Sequence, residues 1–139
     1  MALPEHLTLE IVTPEGLLLR EEVDEVVAPG EEGYFGVRPG HTPFLSTLGV
    51  GALAYRKGDD WHYLSSFWGF CEVLPDHVSV LAEIGERAED IDIDRAENAL
   101  KQAAERLKEI KGEEDYGSVQ ASYIRAVTRL GVARKQRDR

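Results

Sequence analysis

Polar and apolar residues alternate along much of the chain up to residue 82, and short turn-forming segments separate the alternating runs. A period of two is the pattern of a strand with one buried face. The predicted strands are residues 6–12, 17–28, 34–37, 44–48, 50–55, 61–65, 67–74 and 77–82, and the predicted turns are 13–16, 57–60 and 75–76. Strands at this spacing, with no long helical periodicity between them, predict an antiparallel β-sandwich or barrel.

The pattern changes after residue 90, where apolar residues recur every three or four positions in two stripes. This spacing is typical of amphipathic helices. The first stripe is Ala96, Ala99, Leu100, Ala103, Ala104, Leu107 and Ile110, and the second is Val119, Tyr123, Ala126, Val127, Leu130 and Ala133. The predicted boundaries are Asp90 or Asp92 as the first cap, Gly112 as the end of the first helix, 112–117 as a loop, and Asp115 or Ser118 as the second cap.

Two helices joined by a short linker fold back on each other as an antiparallel hairpin. We therefore predict an α+β protein, in which an N-terminal antiparallel β-sandwich or barrel (residues 1–87) precedes a C-terminal antiparallel α-helical hairpin (residues 88–139). The first helical stripe is mostly alanine, and burial contributes only about 0.8 kcal/mol per methylene-sized group. We expect the β domain to be the stable part and the hairpin to be the movable part.

Residues 29–43 are rich in proline and glycine, around the short extended segment Tyr34–Val37. Proline fixes φ, and glycine permits a positive φ. The pattern predicts a tight turn at Pro29-Gly30, a short strand, and a second tight turn at Pro39-Gly40. Such a segment holds one shape on the surface of a β domain.

The formal net charge is −10, which argues against nucleic-acid binding. Residues 123–139 nevertheless carry six of the 16 basic residues and only one of the 26 acidic residues. A basic tail on an acidic body is expected to bind an acidic surface, either of its own body or of a partner. The alternative is a solvated, partly frayed C-terminus.

The chain contains no apolar run of about eighteen residues, the length that a membrane-spanning helix needs. The N-terminal residues resemble neither a secretion signal nor a transit peptide. The single cysteine, Cys71, lies in the apolar run 67–71 and is predicted to be a buried small hydrophobe in a reducing cytoplasm.

The sequence contains no pattern typical of a catalytic centre or a phosphate-binding P-loop, so we predict no catalytic residues. The four histidines do not form a metal-binding motif. His62 and His77 would bind a metal only if they converged across strands, and ordinary surface histidines are the simpler interpretation.

Arg125 and Arg129 lie four residues apart, on one face of the second predicted helix. Guanidinium groups bind phosphates through paired hydrogen bonds, so this face could hold an anion near the start of the first helix. The alternative is that these arginines pair with Glu97 or Glu105 across the hairpin, or face solvent.

The segment 29–43 reads Pro-Gly-Glu-Glu-Gly-Tyr-Phe-Gly-Val-Arg-Pro-Gly-His-Thr-Pro. This order, early in a β domain that precedes an alanine-rich hairpin, resembles the epsilon subunit of the F-type ATP synthase, over essentially the whole chain. The resemblance implies that the β domain docks on the gamma subunit and rests against the c-subunit ring. The residues that the resemblance assigns to this contact are Gly30, Glu31, Arg38, His41 and Pro43.

The segment Ile91-Asp92-Ile93-Asp94-Arg95-Ala96 is similar to the ATP-binding motif of bacterial epsilon subunits, and Ile124-Arg125-Ala126 with Arg129-Leu130 is similar to their second helix. The resemblance implies ATP as a regulatory ligand, with no required cofactor and no metal. Its implied binding residues are Glu86, Asp92, Arg95, Arg125 and Arg129. Gln102 departs from the pattern, because strong binders have a basic residue there.

The function implied is that of a non-catalytic subunit of the central rotor stalk, peripheral to the cytoplasmic face of a bacterial plasma membrane. The closed hairpin would pack on the β domain and hold ATP. The open hairpin would reach along gamma and inhibit ATP hydrolysis at the catalytic beta subunit. The residues expected to contact beta are Arg125, Arg129, Arg134 and Lys135.

Two other classes of protein remain compatible with the residues alone. One is a small β-barrel metal protein or enzyme whose helices form a dimer contact. The other is an adaptor whose helices join a partner's coiled coil.

Overall fold

The computed structural model describes residues 3–110 and 112–137. Within them, seven strands precede two α-helices. The strands are β1 (Leu7–Thr13), β2 (Gly16–Val23), β3 (Glu25–Gly30), β4 (Gly33–Val37), β5 (Phe44–Lys57), β6 (Asp60–Leu74) and β7 (His77–Arg87). A short 3-10 turn, Ala88–Asp90, leads to α1 (Ile93–Glu109) and then α2 (Glu113–Arg137). Neither described helix combines the length and apolarity that crossing a membrane requires.

The strands form one continuous sheet in the order β2-β1-β7-β6-β5-β3-β4. All seven contribute side chains to a single core, so the sheet folds over on itself. Neighbouring strands are antiparallel except β1 and β7, which pair in parallel with Ile11 opposite Val80. The prediction of a β-sandwich followed by a helical hairpin is confirmed, although the sheet is not antiparallel throughout. No hairpin turn connects β1 to β7, so the turns do not dictate their relative direction.

The long strands change face near their middle. Leu48 and Leu53 of β5 both point into the core, as do Leu64 and Cys71 of β6, although each pair is an odd number of residues apart. The pairing register is the same on both sides of this point. The face change coincides with positive φ at Trp68 and Gly69 in β6. The breaks predicted at positions 49 and 66 do not end the strands, and Ser66 is regularly paired with Gly51 and Gly85.

The predicted turn at Pro29-Gly30 is wrong. Both residues belong to β3, where they pair with Tyr34 and Gly33 of β4, and the chain turns at Glu31 and Glu32. The proline is tolerated because β3 and β5 shift register between Val27 and Gly30, where a missing N–H breaks no regular ladder. The turn at Pro39-Gly40 is confirmed, with Gly40 at a φ of 87°.

Cys71 is fully buried in the sheet core, as predicted. Burial raises the pKa of its thiol to about 12, so the group stays protonated at neutral pH. It serves as a small apolar side chain.

Helix α1 begins as predicted from Asp92, whose Oδ1 accepts a hydrogen bond of 3.0 Å from the backbone N–H of Arg95. Helix α2 begins earlier than expected, at Glu113, so the prediction of a loop over 112–117 with a cap at Asp115 or Ser118 is wrong. Asp115 lies in the first turn of this helix, where a negative side chain interacts favourably with the helix dipole. The helix continues to Arg137, while Asp138 and Arg139 lie outside the described residues.

Helix α2 lies between α1 and the outer face of strands β5 and β6. Val132 and Ala133 of α2 join Ala88 and Ile91 in a second buried cluster. Because α2 has two neighbours, its buried positions exceed a single stripe: Val132 is buried although it was not predicted, and the predicted Val127 is exposed. The hairpin is therefore closed against the β domain.

The conformation of β6 makes Gly69 hard to replace. At its φ of 132°, an added Cβ would collide with the Leu81 carbonyl oxygen of β7. We expect Gly69→Ala to lower the free energy of unfolding by about 3 kcal/mol or more, measured by urea denaturation. Gly36→Ala is the matched control, because a Cβ there meets open space. Equal stability of the two variants would contradict this account of the face change.

Candidate functional site: the cleft between β7 and the hairpin

A cleft of about 570 Å³ lies where the end of β7 meets both helices. The turn between β1 and β2 forms one wall, residues 83–86 of β7 form the floor, and the first turns of α1 form the opposite wall. Helix α2 contributes Ala126 and Arg129. The cleft therefore exists only while the hairpin is closed on the sheet.

Four of the five residues proposed for ATP line this cleft, namely Glu86, Asp92, Arg95 and Arg129. The fifth, Arg125, lies one turn before Arg129 and is not part of the lining. Its guanidinium donates a hydrogen bond of 3.1 Å to the Ser122 hydroxyl on the same helix. The structure thus brings together residues of β7, α1 and α2 that are distant in the sequence.

Arg129 is held by two partners on the sheet. Its Nε donates a short hydrogen bond to Glu86 Oε1, and its guanidinium carbon lies 5.1 Å from the centre of the Phe67 ring. A guanidinium over an aromatic face is stabilised by the ring quadrupole as well as by the carboxylate. A phosphate that bound Arg129 through Nε would have to displace Glu86.

The alternative pairing of Arg125 and Arg129 with Glu97 or Glu105 across the hairpin is wrong. Glu97 of α1 accepts a hydrogen bond of 3.3 Å from Arg134, on a half-exposed part of the surface. Arg129 pairs instead with Glu86 of the sheet. The acidic partners of the basic tail are thus found on its own body.

Acidic residues outnumber basic ones in the lining of the cleft. Glu15, Glu83, Glu86, Asp90 and Asp92 face two guanidinium groups, those of Arg95 and Arg129. A polyphosphate would be held by the arginines and repelled by carboxylates that remain free. Partial neutralisation, for example by a divalent cation carried with the ligand, would favour its entry.

Gln102 is exposed on α1 and does not line the cleft. Within residues 3–110 and 112–137, no His, Cys, Asp or Glu cluster suits a metal ion. His62 lies near the β5–β6 turn and stacks on Tyr55 at 5.0 Å, whereas His77 pairs with Leu74 at the other end of β6. The two histidines therefore do not converge.

The residues proposed for the c-ring and gamma side lie along one edge of the sheet but not in one cluster. Gly30 and Glu31 precede β4, and Glu31 accepts a hydrogen bond of 2.9 Å from Thr47. Arg38, His41 and Pro43 follow β4; Arg38 pairs with Glu25 at 3.3 Å. Strand β4 separates the two groups.

An apolar band on the outer face of the sheet was not predicted from the sequence. Leu17 (60% exposed), Leu81 (54%) and Phe70 (53%) lie in register across β2, β7 and β6, connected through Val12 of β1. Leu45 of β5, 69% exposed, extends the band diagonally. The sequence indicates this band where polar and apolar residues stop alternating: Phe70 adjoins Cys71, and Leu81 adjoins Val80.

Two family comparisons divide the chain near the end of β7. Residues 6–88 match the ATP synthase Delta/Epsilon chain beta-sandwich domain. Residues 89–134 match the ATP synthase Delta/Epsilon chain long alpha-helix domain. Together they account for nearly the whole sequence.

Relatives of similar length have closely related sequences. The chain is 52% identical over 126 residues to the ATP synthase epsilon chain of Nitratidesulfovibrio vulgaris strain DP4, covering 91% of this chain and 94% of that one. It is 49% identical over 130 residues to ATP synthase epsilon chain 2 of Syntrophotalea carbinolica, covering 93% and 94%.

Solved structures share the fold at low sequence identity. A chain in the cryo-EM structure of the Euglena gracilis mitochondrial ATP synthase, containing OSCP, F1 and the c-ring, gives a TM-score of 0.71 at 22% identity and covers 99% of this chain and 82% of that one. A chain from the Tetrahymena thermophila mitochondrial ATP synthase central stalk and c-ring gives 0.61 at 12% identity, covering 91% and 96%. With both domain families matched in order and relatives near half identity over most of its length, the chain belongs to the epsilon subunit family of the F-type ATP synthase.

Proposed function

We propose that this chain is a non-catalytic subunit that connects parts of the rotor and regulates ATP hydrolysis through its hairpin. As an epsilon subunit, it is a component of the central stalk of the ATP synthase. Its site of action would be the cytoplasmic face of a bacterial plasma membrane, where it is held by the complex and not by a membrane span of its own. The contacts of the basic residues on α2 carry the regulatory part of this proposal.

The apolar band is the surface best suited to the gamma subunit. Leu17, Phe70, Leu81 and Leu45 are exposed together on the sheet, and a contiguous apolar patch of this kind is typical of a protein interface. Glu72 is exposed within the same face. A partner with an apolar centre and basic groups at its rim would therefore fit.

The β4 edge would face the c-ring. Its turns carry exposed Glu31, Arg38 and Pro43 with no helix over them. The rings of Phe35 and Phe44 pack edge to face at 5.2 Å between the two groups of residues, which gives this edge a rigid centre. The β domain would thus contact gamma through its face and the ring through its edge.

The closed hairpin engages the basic residues that are proposed to contact the beta subunit. Arg129 pairs with Glu86, Arg134 pairs with Glu97, and Lys135 Nζ lies 5.0 Å from the centre of the Tyr63 ring. These pairings compete with contacts to an acidic segment of a partner, and opening the hairpin would release Arg129 and Lys135 from the sheet. The closed state is therefore non-inhibitory, and the open state is inhibitory.

ATP would stabilise the closed state by binding in the cleft. A ligand shifts a conformational equilibrium only by its different affinities for the two states. This cleft is built from β7, α1 and α2 together, so opening removes part of its lining. High ATP would keep the hairpin closed and hydrolysis uninhibited, and low ATP would allow inhibition.

Binding of ATP to the purified chain tests the proposed nucleotide site and is measured by calorimetry with and without magnesium. We expect saturable binding with a dissociation constant between about 1 μM and 1 mM, or about −8 to −4 kcal/mol. Arg95→Gln and Arg129→Gln should each weaken it at least about tenfold through loss of a charged hydrogen bond. Asp92→Asn is a cleaner test of the carboxylate than Asp92→Ala, because asparagine also caps a helix.

Arg106→Gln is the matched control for this titration, since Arg106 is exposed on α1 outside the cleft lining. It should leave the affinity unchanged. No heat of binding up to several millimolar ATP would remove the nucleotide from the proposal while leaving the rotor assignment intact.

The second prediction concerns hydrolysis by the assembled complex at low ATP. Arg125→Ala combined with Arg129→Ala should raise the hydrolysis rate, because the open hairpin then has fewer cations for the beta subunit. Glu86→Gln should lower the rate, because Glu86 holds Arg129 only in the closed state.

The two changes therefore have opposite expected signs, although both disrupt the same ion pair. Full inhibition by the double arginine variant would rule out the basic-helix mechanism. A rise in hydrolysis with Glu86→Gln would show that this ion pair does not hold the inhibitory groups back.

The third prediction concerns docking on gamma. Phe70→Glu and Leu81→Glu should each weaken binding of purified gamma by about tenfold or more, since each places a charge within an apolar interface. Binding is measured by surface plasmon resonance. Val127→Glu is the control, because Val127 is 44% exposed but lies on α2 and not on the sheet. Unaltered affinity of both band variants would assign gamma to another surface.

A further inference from the structure

The last strand pair between β6 and β7 joins Leu64 to Arg87. Trp61 and Tyr63 of β6 therefore lie beyond the end of β7 on that edge. The side chain of Gln136, near the end of α2, occupies the position next to them. The backbone N–H of Tyr63 donates to Gln136 Oε1 at 2.9 Å, and Gln136 Nε2 donates to the Trp61 carbonyl oxygen at 3.3 Å.

This arrangement copies the hydrogen bonding of a neighbouring strand. A strand edge presents an N–H and a C=O on the same side at residues two apart, and a strand partner offers one acceptor and one donor in return. A primary amide carries both groups at one side-chain terminus. Glutamine is therefore suited to bridging Tyr63 and Trp61, whereas a carboxylate or an apolar chain of the same length lacks one or both groups.

The two hydrogen bonds fix the part of α2 that carries the regulatory cations. Lys135 lies over the ring of Tyr63. Arg134, the residue before it in α2, pairs with Glu97 of α1. Val132 and Ala133 are buried in the same region. Any movement that carries this end of α2 away from the sheet breaks both bonds to β6 at once.

We propose that Gln136 is a positioning residue that hydrogen-bonds to β6 beyond the end of β7 and sets the balance between the closed and open hairpin. The proposal rests on the two-state hairpin proposed above. It adds a contact that is independent of the nucleotide cleft and of Arg129. Its strength decides how readily Arg134 and Lys135 become available to a partner.

The test compares Gln136→Met with Gln120→Met in the purified full-length chain. Methionine keeps the length of the side chain and removes both hydrogen bonds. Gln120 is exposed on the same helix, so its variant controls for the change in composition. Amide hydrogen exchange by NMR is followed at Tyr63 and, as a reference, at Val80, which is fully buried in the sheet core.

We expect the exchange rate of Tyr63 to rise about tenfold in Gln136→Met, since a neutral hydrogen bond changes an equilibrium constant by several-fold and two are lost. Val80 should exchange as before, and Gln120→Met should change neither rate. The radius of gyration by small-angle scattering should increase in Gln136→Met alone. An unchanged Tyr63 rate, or a faster Tyr63 rate with an unchanged radius of gyration, would overturn the proposal.

A third readout separates this proposal from the function on which it rests. In the assembled complex, Gln136→Met should strengthen inhibition of hydrolysis in the same direction as Glu86→Gln. If Glu86→Gln alters hydrolysis and Gln136→Met does not, Gln136 does not set the balance. If the isolated chain opens as expected but neither variant affects hydrolysis, the hairpin clamp is supported and the inhibitory function fails.

Discussion

Strands β5, β6 and β7 carry apolar side chains on both faces of one sheet, and the remaining structure depends on this constraint. The inner face supplies the core, and the outer face carries Phe67 beneath α2 and Phe70 in the exposed band. The positive φ values at Trp68 and Gly69 let one strand supply core residues on both sides of its midpoint. Because apolar surface is unfavourable in water, the outer face requires cover, which the hairpin provides at one end and a partner is proposed to provide at the other.

The hairpin is attached mainly by contacts that can be exchanged for others. The contact between α2 and α1 is rich in alanine, and only Ala96 and Ala103 of α1 are buried. The sheet holds α2 through a small apolar cluster that includes Val132 and Ala133, and through Glu86, two aromatic rings and the amide of Gln136. Contacts of this kind are each worth about 1 kcal/mol, so a partner offering similar contacts can compete with them. The proposed change between the closed and the open hairpin needs contacts of this strength, because a hairpin that buried a large apolar area would not open.

Glu86 belongs both to the ion pair with Arg129 and to the lining of the cleft. Glu86 neutralises Arg129 in the structure described, and it also lines the space in which a nucleotide would bind. A phosphate must therefore compete with a carboxylate that is already in place, besides facing the other acidic groups. This competition would limit the affinity for the nucleotide that is proposed to bind here.

Local periodicity was enough to predict the main elements of the fold. The two-residue alternation predicted the β domain, the three- and four-residue spacing predicted the hairpin, and the cap of α1 was narrowed to Asp90 or Asp92, of which the structure uses Asp92. Tertiary structure decided the parallel pairing of β1 with β7, the inclusion of Pro29 in a strand, and the partner of Arg129. It also created the apolar band and the Gln136 contact. Apart from the local pairing of Pro29 with Tyr34, these features join residues far apart in the chain, and local patterns carry no information about which distant surfaces meet when a sheet curls and a hairpin closes on it.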